Sequence, residues 1–226
     1  MSKKQLGSAT QYLEYLKLSG VDDLFIRSPR KIKTVSELEA LKQNYSNCQK
    51  CELAKNRIKF VYGEGDPESR LVIIGEAPGA DENRSGLPFV GRAGQLLSKM
   101  LQSIGLSREQ VFITNVVKCR PPNNRDPHTV EIEICRPYLN EQLEIIQPDM
   151  ILLLGRIAAV SLLDMKLSLA KFRGKTYLYK EIPTYVTYHP SALLRNPNYK
   201  KPAWEDLKRI RNEYFSKERQ GVNNGN

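Results

Sequence analysis

Four cysteines, two histidines and a glycine-rich loop carry most of the chemistry open to this chain of 226 residues. Cys48 and Cys51 form a Cys-x-x-Cys pair, while Cys119 and Cys135 come from two later segments. Such a turn presents two thiolates to one metal centre. Two more thiolates from elsewhere complete a set that suits zinc or an iron–sulfur cluster. The long interval between Cys51 and Cys119 is unlike a compact zinc finger, and composition alone does not separate the two metals. Four unrelated thiols, with Cys119 and Cys135 buried as small apolar side chains, are the alternative.

The glycine-rich loop is Gly75-Glu-Ala-Pro-Gly79, continuing to Pro88-Phe-Val-Gly91. It follows Leu71-Val-Ile-Ile74, which reads as a buried parallel strand, and precedes Arg92–Ile104, apolar at helical spacing. In an open α/β sheet, ligands bind at the carboxyl ends of the strands. Here a flat ligand could approach backbone amides, meet the carboxylate of Glu76 and stack on Phe89.

Two later segments add polar groups at comparable places. Ile113-Thr-Asn-Val-Val-Lys-Cys119 ends a strand, so Asn115 falls at the same sheet edge. Its amide offers an acceptor and two donors, suited to reading the edge of a pyrimidine; a strand-end cap is the other reading. His189 follows the strand Thr184–Tyr188. It is placed to stabilise negative charge on a leaving group as neutral donor or imidazolium, or simply to cap a turn. Leu193 and Leu194, beside Arg195, read as an apolar wedge with a phosphate contact, or as an ordinary packed pair. Lys118, Arg120 and Arg125 are candidate phosphate contacts or solvated charges. His128 reads as a solvated or capping residue.

These positions require a frame. Strand-like runs at Leu71–Gly75, Val111–Val116, Met150–Gly155 and Thr184–Tyr188 alternate with helical patterns at Gly94–Ile104, Thr129–Ile146 and Arg156–Leu163. Val35–Tyr45 and Trp204–Tyr214 add two more helices, and Lys175–Lys180 a short edge hairpin. The expected fold is a single α/β domain, three-layer α/β/α, around a central, mainly parallel four-stranded sheet. Residues 1–34 read as a helical N-terminal extension with a basic linker, 35–216 as the domain and 217–226 as a polar tail. Val21-Asp-Asp-Leu-Phe25 resembles the acidic–apolar peptides with which bacterial repair proteins dock on the sliding clamp; packing of Leu24 and Phe25 on the domain's own surface is the alternative.

Hydrophobic residues make up 40% of the chain and charged ones 27%, a balance that supports a packed core. Net charge is +10 and the pI about 9.4, which points to an anionic partner, nucleic acid first. No apolar run approaches the roughly 20 residues of a membrane helix. Met1-Ser-Lys-Lys-Gln lacks a following apolar region, so a secretory leader is not expected. A reducing cytoplasm fits the cysteine usage.

Taken together, these blocks resemble the uracil-DNA glycosylase superfamily, and within it family 4, the iron–sulfur, thermostable-type enzymes. The resemblance spans about Val35 to Phe215. It rests on Gly75-Glu-Ala-Pro-Gly79, Pro88-Phe-Val-Gly-Arg-Ala-Gly-Gln-Leu-Leu97, Thr114-Asn-Val-Val-Lys-Cys-Arg-Pro-Pro122, His189-Pro-Ser-Ala-Leu-Leu-Arg195 and Trp204-Glu-Asp206. It implies that Cys48, Cys51, Cys119 and Cys135 hold a [4Fe-4S] cluster of structural role. It also implies that Gly75, Glu76 and Ala77 line the pocket, that Phe89 stacks on a flipped uracil, that Asn115 reads its edge and that His189 sits near its O2. Glu76, His189 and Asn115 are the implied catalytic set; Leu193, Leu194, Arg195, Lys118 and Arg120 the implied DNA contacts. The implied protein is a monomer acting on uracil-containing DNA in the cytoplasm, near the nucleoid. The segment after Cys119 lacks the basic insert of a branch that crosslinks to its product, so turnover is expected. A catalytically silent damage-binding module, or an iron–sulfur redox sensor on the same fold, is the alternative.

Overall fold

The computed structural model describes residues 35–222, and side chains of residues 36–216. The chain divides into two units, 1–32 and 33–226, and every described residue lies in the second. The expected N-terminal helix, the basic linker and the peptide Val21–Phe25 fall outside the described residues.

The described elements, in chain order, begin with α1 (Val35–Ser46), β1 (Glu64–Gly65), β2 (Leu71–Gly75), α2 (Ala80–Ser85) and α3 (Arg92–Ser103). Next come β3 (Phe112–Asn115), α4 (Thr129–Ile146), β4 (Met150–Leu154), α5 (Arg156–Leu163) and α6 (Leu169–Phe172). The chain then forms β5 (Tyr177–Tyr179), β6 (Ile182–Thr187), α7 (Pro190–Arg195) and α8 (Lys200–Val222). The sheet order is β1-β3-β2-β4-β6-β5. Its four central strands are parallel, in register through pairs such as Gly75–Asn115 and Leu154–Thr187.

The four parallel strands are those the apolar runs predict. Antiparallel edge strands extend the sheet to six: β5, from the expected hairpin, and β1, which the sequence reading does not contain. Two residues, Glu64 and Gly65, are too short a run to leave a period-2 signal. The last helix spans Lys200–Val222, longer at both ends than the expected Trp204–Tyr214. Short helices α2 and α7 occupy stretches that read as loop.

Side chains of the central strands are buried on both faces, as a parallel sheet covered by helices requires. Val72, Ile74, Ile151 and Leu153 face one apolar layer with Leu139 and Leu143 of α4; Leu71, Ile73, Met150 and Leu152 face another with Leu97 and Leu101 of α3 and Leu207 of α8. Alternation along each strand thus builds the expected three layers. Because β3, β2, β4 and β6 run the same way, the segments that follow them gather on one sheet edge. Among the described residues, no helix is long and apolar enough to cross a membrane.

Candidate active site and cysteine centre

A cavity of about 480 Å³ opens at that edge. Glu76, Phe89, Asn115 and His189 line it, together with Arg125, Arg156 and Arg195. The chain continues to pair past the ends of β2 and β3: Val116 N–H donates to Gly75 O at 2.9 Å and Val117 N–H to Glu76 O at 3.1 Å. Glu76 and Asn115 are therefore held side by side.

Asn115 is 1% exposed, and its Oδ1 has no hydrogen-bond partner. A buried amide oxygen left in this state costs about 1–3 kcal/mol, a cost the fold avoids almost everywhere else. Gly75 explains how the space is kept. A Cβ there would stand 2.4 Å from Asn115 Oδ1 and 2.5 Å from the Phe89 ring, so only glycine leaves both groups free. Phe89 holds a positive φ of 52°, rare for an aromatic residue. Arg108 fixes this turn by donating to Pro88 O at 2.9 Å and Phe89 O at 3.1 Å. Glu82 closes it from the other side, accepting from Gly79 N–H at 3.0 Å, Val90 N–H at 2.9 Å and Gly91 N–H at 3.0 Å.

The Phe89 ring lies 5.5 Å from that of His189. His189 Nδ1 accepts the backbone N–H of Ser191 at 3.2 Å and lies 2.8 Å from Ser191 Oγ. With Nδ1 accepting, the ring proton sits on Nε2. Burial, assisted by Arg195, pushes the imidazole down to about 4, so at neutral pH it is an uncharged Nε2–H donor. Glu76 shifts the other way. Burial and then the nearby Asp126 carboxylate raise it to about 7, against the pull of Arg156. The cavity therefore combines an acceptor, a neutral donor, an aromatic face and a carboxyl group balanced near neutrality.

On the far side of the β3–α4 segment, Cys119 and Cys135 are buried in one apolar layer, and Cys48 and Cys51 pack against the same layer. All four are free thiols. Donors reach three of the sulfurs: Tyr138 Oη–H to Cys48 Sγ at 2.9 Å, Lys118 N–H to Cys135 Sγ at 3.3 Å and Arg57 Nη1–H to Cys119 Sγ at 3.4 Å. Burial pushes the Cys135 thiol up to about 12, with the Lys118 ammonium opposing. Four free sulfurs, three of them with N–H or O–H donors aimed at them, suit thiolates that share a metal centre. Among the described residues, no three His, Cys, Asp or Glu side chains are placed to hold a single metal ion.

Comparison with known proteins matches residues 62–208 to the profile of the Uracil DNA glycosylase superfamily. A type-4 uracil-DNA glycosylase of Sulfurisphaera tokodaii is 48% identical over 78% of this chain and 84% of its own length. Those of Saccharolobus solfataricus and Archaeoglobus fulgidus are 45% and 44% identical, over 81% and 78% of this chain and 89% and 92% of theirs. The chain belongs to the type-4 branch of the uracil-DNA glycosylase superfamily.

Within this glycosylase fold, the expected DNA contacts divide. Arg195 lies at the cavity, and Leu194 beside it is 42% exposed. Leu193 is 3% exposed and packs in the layer with Leu97 and Leu207, so it is a core residue and not a wedge. Lys118 is fully buried and makes no surface contact; its stem runs inward from the turn after β3. Arg120 is half-buried and donates to Asn124 Oδ1 at 2.8 Å, near the mouth. Arg125 is committed to Glu131 through two hydrogen bonds of 2.9 and 2.7 Å. His128 is exposed and precedes α4, where its backbone N–H donates to Glu131 at 2.7 Å, the capping reading.

The sequence reading missed Gly155-Arg156, Asp126 and the clamp made by Glu82. Gly155-Arg156 follows β4 at the same sheet edge, so the rule that marked the first loop applied here too. Gly155 has φ 92°, and a Cβ would meet that of His189 at 3.1 Å. Glu82 sits three residues after Gly79, the spacing of a capping carboxylate.

Proposed function

We infer that this protein is a uracil-DNA glycosylase that hydrolyses the N-glycosidic bond of deoxyuridine in DNA, the first step of base excision repair. The observation that carries the reading is the unpartnered Asn115 Oδ1 inside a cavity walled by Phe89 and His189. A pyrimidine imide offers an N–H to that oxygen and a carbonyl to the amide NH2, and its ring matches the Phe89 face.

The nucleotide must leave the helix for its base to reach Phe89 and the buried Asn115. The basic rim, with Arg156 and Arg195, meets phosphates, and Leu194 fills the gap left in the stack. As the C1′–N1 bond breaks, its electron pair moves onto the base. The neutral His189 donates from Nε2 to the carbonyl O2 where charge gathers, a preorganised stabilisation that costs no reorganisation. Glu76, when ionised, positions a water whose oxygen bonds to C1′ of the oxocarbenium sugar; the proton that water sheds passes to Glu76 and balances the one the uracil anion takes up. Uracil and an abasic site result.

Cys48, Cys51, Cys119 and Cys135 are proposed to hold a [4Fe-4S] cluster. Bound there, the cluster would cross-link the segment after α1 to the β3–α4 region; the hydrolysis itself needs no electron transfer. The protein is proposed to work as a monomer in the cytoplasm, where its DNA lies.

The test is release of free uracil from a uracil-containing oligonucleotide under multiple turnover, with parent and Asn115→Ala proteins. Release by the parent that drops in the variant supports the reading. A stoichiometric covalent adduct points instead to crosslinking, and binding without release or adduct overturns the enzyme.

A further inference from the structure

Lys118 stands apart from the other buried charges. Glu131, Asp149 and Asp206 each pair with an arginine: Arg125, Arg70 and Arg173. Lys118, 0% exposed, has only neutral acceptors. Its ammonium donates to Thr114 Oγ1 at 2.6 Å, Gln142 Oε1 at 2.6 Å and the backbone O of Asn115 at 2.9 Å. All three of its N–H bonds are used, yet among the described residues no carboxylate balances the charge. A buried ammonium needs a counter-charge as well as hydrogen bonds.

Groups that turn anionic when they bind a metal lie close by in the chain and in space. Lys118 donates its backbone N–H to Cys135 Sγ at 3.3 Å, and Cys119 is the next residue. A cluster held by four thiolates carries net negative charge. The same ammonium grips the carbonyl of Asn115, the residue whose side chain faces the cavity.

We propose that Lys118 is the counter-charge of the cysteine centre and a positioning residue for Asn115, linking the two sites through one side chain. This rests on the reading of the four cysteines as iron–sulfur ligands. A fixed positive charge favours the reduced, more negative cluster, so its removal makes reduction harder.

The experiment compares the holoprotein with Lys118→Met and Gln142→Glu. The first removes the charge while keeping the stem. The second sets a carboxylate against the ammonium and offsets its charge while keeping the bond to Asn115, at the loss of the amide's donation to Tyr62 O. Iron and sulfide per chain, the reduction potential by spectroelectrochemical titration, and the kcat and KM for uracil release are measured. Both variants are expected to titrate at a more negative potential than the parent. Lys118→Met should also lose several-fold in kcat, whereas Gln142→Glu should retain it. An unchanged potential in cluster-loaded variants overturns the counter-charge, and an unchanged kcat in Lys118→Met overturns the positioning role. Should Lys118→Met not fold, the potential of Gln142→Glu decides. Iron-free parent protein would instead sink the cluster reading itself, a distinct failure that removes this proposal with it.

Discussion

The cavity and the cysteine centre are reached from one short segment, yet their polar groups are organised in opposite ways. Asn115 ends β3 and serves the cavity; Cys119, four residues on, serves the centre. In the cavity a buried acceptor has no partner. At the centre, three of four sulfurs already accept hydrogen bonds from the protein. A ligand that comes and goes needs groups left open in its absence. A group meant to stay needs a shell that orients its ligands permanently. The contrast supports the proposed division, with turnover in the cavity and the cysteines as its scaffold.

Substitutions in the cavity should separate the two regions most sharply. Asn115→Ala is expected to cut kcat/KM for uracil release about 100-fold or more while leaving the melting temperature nearly unchanged. Gly75→Ala should do comparable damage without removing any polar group, because the methyl collides with Asn115 and Phe89. If either variant released uracil at the parental rate, the cavity would not be the site of reaction.

Cys135→Ser addresses the other side. It should lose iron and lower the melting temperature by on the order of 10 °C, the effect of several kcal/mol in a chain of this size. Should it stay folded, keep its melting temperature and still lose all activity, the division between scaffold and site would be wrong.

A pH profile sharpens the cavity itself. Burial raises Glu76 to about 7, and in the proposed mechanism it acts as the carboxylate, so activity should rise as pH rises through 7, falling about tenfold per unit below it. Asp126→Asn removes a neighbouring negative charge, lowers the Glu76 value and should shift this limb to lower pH. His189, neutral above about 4, should add no limb between pH 5 and 8. A limb that stays in place in Glu76→Gln would remove Glu76 from the mechanism. The smallest expected effect is at the rim. Leu194→Ala should lower activity on duplex DNA about tenfold, roughly 1.4 kcal/mol of the unstacking cost, and change single-strand activity less. Equal losses on both substrates would dismiss the wedge.

Much of the frame was legible because strand burial leaves a mark in one dimension. Leu71–Ile74 and Met150–Leu154 are continuous apolar runs, and a parallel sheet covered on both faces needs such runs. Thr129–Ile146 and Arg156–Leu163 are the helices that their periodicity predicts. The residues that meet at the cavity from the first, second and fourth parallel strands were legible too, since each follows a strand end. Lys118 and Leu193 were misread for one reason. A basic residue near a loop and a leucine beside an exposed leucine carry no local sign of which way they point.

The sequence by itself determined the order of strands and helices, the cysteine set and the polar residues at the strand ends, because burial periodicity and residue chemistry are local. Tertiary structure alone decided that Asn115 Oδ1 stays unpartnered and that His189 is neutral and donates from Nε2. It also decided that Glu76 is poised near 7 and that Lys118 turns inward between the two sites. Each of these depends on desolvation and on hydrogen bonds between segments distant in the chain, quantities that exist only once the layers have packed.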